Sequence, residues 1–173
     1  MSLSHPTRRR FVTQLAALVP ATLLRRGPAP GLTATQDAGI SRTAEAIHQE
    51  LTFIAPPQRV YEALLDQEQF ARVTGGQATT IDRAEGGAFS LFGARIKGRN
   101  VALEPNARIV QAWRSEGWDK GVYSIVRFEL HPAGTGTLLA FDHTGFPVGQ
   151  ADHLATGWKS NYWDPLTRFL AGA

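Results

Sequence analysis

Cysteine is absent from this chain of 173 residues. That excludes disulfides, thiol nucleophiles and thiolate metal sites together. It leaves the compartment open, because a thiol-free chain suits reducing and oxidising surroundings alike. Long hydrophobic runs are missing too. The longest moderately apolar stretch, Phe11 to Leu24, has 14 residues, short of the roughly 20 a helix needs to cross a bilayer. No GxSxG elbow, HExxH motif or phosphate-binding GxxxxGK[ST] loop occurs, so the commonest hydrolase and nucleotide signatures are excluded. The histidines, His5, His48, His131, His143 and His153, include no pair at i, i+4 spacing. A helix-borne metal pair is therefore excluded, and neither a metal nor a cofactor is expected.

What charge there is lies unevenly. Residues 1–46 carry six Arg against two acids, whereas residues 47–173 carry 12 Lys/Arg against 13 Asp/Glu. The part that folds is near neutral, so a nucleic-acid partner loses its electrostatic basis.

The basic end has its own logic. Thr7-Arg8-Arg9-Arg10-Phe11-Val12 precedes the apolar run, the order of a positive n-region and an h-region in an export signal. Paired arginines, one residue, then Phe resemble a twin-arginine signal, and Arg25-Arg26 after the run suit that route. Val19-Pro20-Ala21 has small residues at cleavage spacing but cuts the h-region short. Residues 25–43 are rich in Gly, Pro, Ala and Thr and read as a linker. The expected division is a signal and linker over 1–42 and one domain over 43–173. The domain is then exported, periplasmic or at the cell envelope, with no integral membrane span of its own.

Within the domain, Ile47–Ile54 alternates as a half-buried strand. Pro56-Pro57 stops it, and Pro57 suits the first position of a helical segment running to Val73. That segment reads as two short helices broken near Asp66. Strands follow at Ala78–Arg83, Ala88–Phe92, Arg95–Leu103, Ile109–Arg114, Gly121–His131 and Thr137–His143, joined by hairpin-length turns. The chain closes on a long helix. Its apolar positions, Leu154, Ala155, Trp158, Tyr162, Leu166, Phe169 and Leu170, trace one face at a 3.6 period. Asp164-Pro165 predicts a bend near Asn161–Asp164. Short antiparallel connections with helices on one face give an α+β class.

Several blocks in this order resemble a known family. They are Ala55-Pro56-Pro57-Gln58-Arg59-Val60-Tyr61-Glu62-Ala63-Leu64, Gly86-Gly87-Ala88-Phe89-Ser90-Leu91, and Leu103-Glu104-Pro105 leading to Ile109–Arg114. The last runs from Gly136-Thr137 through Asp142-His143-Thr144-Gly145-Phe146-Pro147 to Gly157-Trp158. The pattern resembles the SRPBCC/START-like superfamily, and within it the group named for the C-terminal domain of the Hsp90 ATPase activator Aha1. A Trp usual in that pattern near Arg72-Val73 is lacking here, which loosens one wall of the expected cavity. The resemblance implies a helix-grip fold: a curved antiparallel sheet of six or seven strands wrapped on the C-terminal helix, with a cavity between them. Members of the superfamily bind lipids, sterols, polyketides or other apolar molecules, and some are enzymes.

The candidate ligand-binding residues are Trp113, Tyr123, Phe141, His143, Trp158 and Tyr162. On the last strand Leu139, Phe141 and His143 share the more apolar face, so His143 is expected to point inward. There it serves as a donor to a ligand oxygen, as a general acid or base, or as a structural histidine bonded to a backbone carbonyl beside the helix start. Asp142 points to the other face and cannot form a dyad with its neighbour. Trp113, with Ile109 and Gln111, is a second inward candidate, and Trp158 and Tyr162 suit the cavity floor or simple packing. Trp118 and Tyr123 flank the loop Ser115–Gly121, a candidate gate or plain surface decoration. Asp152 is expected to serve the helix N-terminus. The leading expectation is a non-catalytic domain holding a small apolar or amphipathic molecule. The alternatives are a cyclase, dehydratase or hydrolase using His143, and a cytoplasmic co-chaperone that stimulates an Hsp90 ATPase.

Overall fold

The computed structural model describes residues 45–172; the expected signal and linker lie outside that range. Strand β1 (Ala46–Phe53) buries Ile47 and Phe53 and exposes His48, Glu50 and Thr52. Helix α1 (Pro57–Leu65) starts on Pro57 at its first position, where a missing N–H costs nothing. Asp66 then divides the helical segment. Its own N–H donates to Glu62 O at 2.7 Å, closing α1, while its carboxylate accepts from Gln69 N at 2.9 Å, capping α2 (Gln67–Val73).

Strands β2 (Thr80–Ile81), β3 (Ala88–Leu91), β4 (Ile96–Glu104), β5 (Arg108–Ser115), β6 (Ser124–Ala133) and β7 (Gly136–Thr144) complete one sheet. Its order is β1-β7-β6-β5-β4-β3-β2, and every pairing is antiparallel. The first strand thus docks beside the last, and α1 and α2 carry the chain across to the opposite edge. The outcome is the expected helix-grip arrangement, with a helical segment of 21 residues at the C-terminus.

Three of the departures from the expected strand bounds have a clear local cause. β2 is cut to two residues: beyond it Asp82 N–H bonds to Ala88 O, and Arg83–Gly87 turns back. Gly121 has φ +87° and Val122 N–H donates to Asp119 O, so 119–122 form a turn and β6 begins at Ser124. Phe92 leaves the ladder with φ 55° in the turn between β3 and β4, yet stays buried. β4 carries a bulge between Asn100 and Ala102. The buried Asn100 secures it, donating from Nδ2 to Asp82 O at 2.8 Å and accepting from Gln111 Nε2 at 3.0 Å.

The terminal segment is not one uniform helix. Helix α3 (Ala151–Trp158) passes through a π-helical turn, Lys159–Trp163, into α4 (Asp164–Ala171). Pro165 explains the position. A proline one turn into a helix clashes with the carbonyl four residues back and leaves it unbonded. Widening the preceding turn, with Asp164 N–H reaching back five residues to Lys159 O, relieves both. Lys159 Nζ also binds the Asp164 carboxylate at 2.7 and 2.8 Å across the same turn. The extra residue turns Trp163 inward beside Tyr162, so both are buried. Leu154, Trp158, Leu166 and Leu170 complete the buried stripe, while Ala155 and Phe169 are only partly covered.

Candidate functional site

A cavity of about 280 Å³ lies between the sheet and the C-terminal helix. That is near the lower end of the roughly 300–1,000 Å³ of small-molecule sites. On the sheet side Trp113 and Ser115, two apart on β5, share a face, and Ile96 is paired to Ser115 across the ladder. Phe92 enters from the tight β3–β4 turn. On the helix side Leu154, Trp158 and Tyr162, four apart, present successive turns, and Gly157 leaves the wall thin. Gln77, Arg95, His153 and Asn161 complete the lining, the last three exposed at its margin.

Tyr162 is the inner wall. On its far side a space of only about 10 Å³ remains among Leu64, Phe70, Leu91 and Phe128, little more than a single water could use. Phe70, Phe92 and Tyr162 meet edge-on in a closed triangle with centroids 5.3–5.7 Å apart. Each ring thus sets positive edge against negative face. That triangle holds the Tyr162 ring between a filled core and the open cavity.

Two polar atoms in this wall meet each other. The Tyr162 hydroxyl and the Trp113 indole N–H are both buried, and the N–H points to the phenol oxygen without the alignment of a well-made hydrogen bond. Burial drives the Tyr162 phenol well above its ordinary range, and the nearby Trp113 N–H opposes this only in part. The hydroxyl therefore keeps its proton and stays a donor. The indole N–H can only donate.

Behind Trp158 the polar groups are fully matched. Trp158 Nε1–H donates to His143 Nδ1 at 3.0 Å. Since an indole nitrogen cannot accept, Nδ1 carries the lone pair and Nε2 the proton. Nε2–H then donates to Ser124 Oγ at 2.7 Å, and that hydroxyl donates to Trp113 O at 3.0 Å. His143 has no exposed surface, and burial pushes its pKa down to about 4. It is a neutral imidazole with both nitrogens engaged, so the inward direction expected of it holds. Its partners are two side chains rather than a backbone carbonyl. Asp142 faces the other side of the sheet, as alternation requires, and binds His48 Nδ1 and Arg127 Nη2 at 2.7 Å each. Partial burial draws its pKa up, but the bonds from Arg127 and His48 outweigh that and hold it below its ordinary value.

Of the six candidate residues, Trp113, Trp158 and Tyr162 meet at the cavity. Phe141 packs against Trp158 with centroids 4.5 Å apart, and His143 bonds the same ring, so both stand one layer behind the wall. Tyr123 lies apart from it. Half its surface is exposed and Arg114 covers its ring at 5.8 Å. Trp118 packs edge-on against Trp113 at 5.4 Å, and Arg114 Nη2 ties its carbonyl at 2.6 Å, which fastens the Ser115–Gly121 loop. Sequence reading passed over Phe92, Ile96 and Leu154 as lining. Only Leu154 had a signal, its place on the helix stripe. No helix among the described residues is long and apolar enough to cross a membrane. No cluster of His, Asp and Glu among them has the makings of a metal site.

Comparison with known proteins places this geometry. The family model described as "Activator of Hsp90 ATPase homolog 1-like protein" matches residues 54–171. A curated relative from Dictyostelium discoideum, "Activator of 90 kDa heat shock protein ATPase homolog", is 32% identical over 125 residues. That match covers 72% of this chain but 32% of the relative, so the chain spans about a third of that protein's length. Among solved structures, an HSP90 activator from Plasmodium falciparum superposes with a TM-score of 0.70 at 24% identity. It covers 73% of this chain and 96% of that one, a likeness of fold. CalU16 from Micromonospora echinospora superposes with a TM-score of 0.64 at 28% identity, covering 73% and 76%.

Proposed function

We propose, from the premise that the chain belongs to the activator of Hsp90 ATPase homolog 1-like family, that its domain holds one small apolar or amphipathic molecule between sheet and helix. The observation that carries this reading is the cavity of about 280 Å³ walled by Trp113, Trp158, Tyr162, Phe92 and Leu154. That is the scale of a compact one- or two-ring molecule. No catalytic step belongs to this reading. His143, the residue that the alternative enzyme reading would use, has both ring nitrogens committed to Trp158 and Ser124. The leader, read as a twin-arginine signal, supports a domain working outside the cytoplasm.

The test is thermal unfolding of the purified full chain against a panel of small aromatic and alicyclic compounds. A ligand at about a hundred times its Kd adds roughly 2.7 kcal/mol to stability, a shift of several degrees in a domain of this size. A panel that shifts nothing, with native mass spectra showing only bare protein from cells, sinks the proposal.

A second reading draws on the names carried by the Dictyostelium and Plasmodium proteins: stimulation of an Hsp90-type ATPase through protein contact. It requires the chain to work where ATP and the chaperone are. Cell fractionation decides between the locations, and an ATPase assay with the chaperone of the source cell tests the contact itself.

A further inference from the structure

The aromatic part of the cavity wall keeps its polar atoms for itself. The Trp113 N–H and the Tyr162 hydroxyl turn to each other, and the Trp158 N–H is taken by His143. A polar group of a ligand left among these rings would lose its water and gain no partner. Its place is at the mouth, where Arg95, His153 and Asn161 are exposed.

The mouth is one-sided in charge. Arg95 borders it, and no Asp or Glu among the described residues does. Glu116 and Asp152, chain neighbours of the lining residues Ser115 and His153, are not part of the lining. Arg83, Arg108 and Arg127 each hold a carboxylate of the fold. Arg95 joins no ion pair among the described residues. His153 adds an imidazole, and Asn161 an amide with one hydrogen left after Nδ2 donates to Gly157 O at 3.0 Å.

The backbone puts Arg95 there. Phe92, Gly93 and Ala94 take φ values of 55°, 67° and 72° in succession, a left-handed stretch that residues with a Cβ rarely adopt. Two backbone bonds hold it: Gly93 N–H donates to Ala78 O at 2.9 Å, and Glu116 N–H donates to Arg95 O at 2.7 Å. One strained turn thus supplies an apolar ring, Phe92, and a cation, Arg95, to the same cavity. Strain of this kind gathers at ligand sites.

We propose that the ligand is a small amphipathic anion, a compact aromatic or alicyclic carboxylate. Its ring lies among Trp113, Trp158 and Tyr162, and its carboxylate meets Arg95 at the mouth. A planar guanidinium matches a carboxylate through two parallel N–H donors. The exposed mouth leaves the anion partly hydrated, so it escapes the desolvation it would suffer deeper in. This rests on the ligand-holding role proposed above and adds the charge of the ligand and the direction in which it binds.

The probes are 2-naphthoate and 2-naphthamide, which match in shape and differ in charge. Their affinities for the full chain are measured by titration calorimetry at low and at high salt. The carboxylate should bind about five- to ten-fold tighter at low salt, the scale of a hydrogen bond to a charged group at a partly exposed site. High salt should shrink that ratio by weakening the carboxylate alone, because the pair is open to screening. Arg95→Gln should bring naphthoate down to the level of naphthamide, with little change for the amide. Its melting temperature should match that of the native chain, since the Arg95 side chain is exposed and pairs with no carboxylate of the fold. Equal affinities of the two compounds, or a ratio untouched by Arg95→Gln, overturn the anionic ligand and leave the ligand-holding role standing. Failure of naphthoate to bind overturns it as well, and if the wider panel also shifts nothing, the role itself falls.

Discussion

The indole N–H of Trp158 donates to Nδ1 of His143 at 3.0 Å, joining the C-terminal helix to the last strand at the back of the cavity wall. The bond fixes the histidine tautomer and fixes the plane of Trp158, whose other face borders the cavity. Phe141, Trp163 and Tyr162 hold the same ring at centroid distances of 4.5, 5.5 and 4.2 Å.

His143→Leu should therefore cost stability rather than turnover. It strands the Trp158 N–H in a dry interior, at about 1–3 kcal/mol, and takes away the donor to Ser124 Oγ, which keeps its own bond to Trp113 O. We expect a loss of about 3 kcal/mol by urea denaturation. In His143→Leu/Trp158→Phe the orphaned donor is gone, so the double variant should lose less than the sum of the single losses. Strict additivity would show that the bond contributes nothing.

The same histidine makes stability depend on acid. Its pKa is about 4 folded and about 6.5 unfolded. Between those values the unfolded chain binds more protons than the folded one, so stability rises with pH. The contribution is complete above about pH 6.5 and is lost as pH falls toward 4, at roughly 1.4 kcal/mol per pH unit. The expected loss from this group is about 3 kcal/mol. Carboxylates titrate in the lower part of this window, so the measurement is a difference: denaturation midpoints of the native chain and of His143→Leu from pH 7 to pH 4. The variant's curve should be flatter. Parallel curves would refute the assignment.

Much of this site was readable in the sequence, and the limits have physical causes. Alternation on β7 sent His143 inward and Asp142 outward, because side chains in a strand have a period of two. It could not name Trp158 as the partner, which depends on how the helix docks. The 3.6-residue stripe found Trp158, Tyr162, Leu166 and Leu170. It omitted Trp163, because the π turn inserts one residue and breaks the period at that point. Pro165 marked a break in the regular helix, but that does not say which residue is added to the inner face. Phe92 reads as the end of a strand, and only the backbone at φ 55° sends its ring into the wall. The meeting of the Trp113 N–H with the Tyr162 hydroxyl was invisible for a different reason: it depends on how the helix docks against β5, which only packing shows.

Gly157 offers a test of the cavity that barely disturbs the fold. It sits inside α3, where glycine is worth about 0.5–1 kcal/mol less than alanine. A Cβ there would meet only Asn161 Nδ2, at 3.9 Å, which is ordinary contact. Gly157→Ala should raise stability by about that amount and at the same time narrow the cavity it lines. Thermal unfolding checks the first effect. Weaker binding of the bulkiest ligands in the panel, with the smallest unaffected, checks the second. A destabilised variant would mean that the helix backbone there is not as described.

On the outer face, the carboxylate of Asp142 bridges His48 and Arg127, linking β1, β7 and β6. The hydrogen bond to Asp142 raises the His48 pKa above its ordinary value, against a smaller opposing effect of desolvation. His48 is exposed, so its charge is screened by solvent and salt, and the interaction belongs with surface pairs of small worth. The sign is still definite. A histidine whose pKa is raised on folding adds stability at pH below its unfolded value and loses it as pH climbs through the folded one. The observable is the imidazole resonance of His48 in an NMR titration. Its midpoint should lie above 6.5, and in Asp142→Asn it should fall back toward the ordinary value. Salt should act like the substitution, drawing the native midpoint down as screening grows. A midpoint that ignores both would show that the two side chains do not meet in solution.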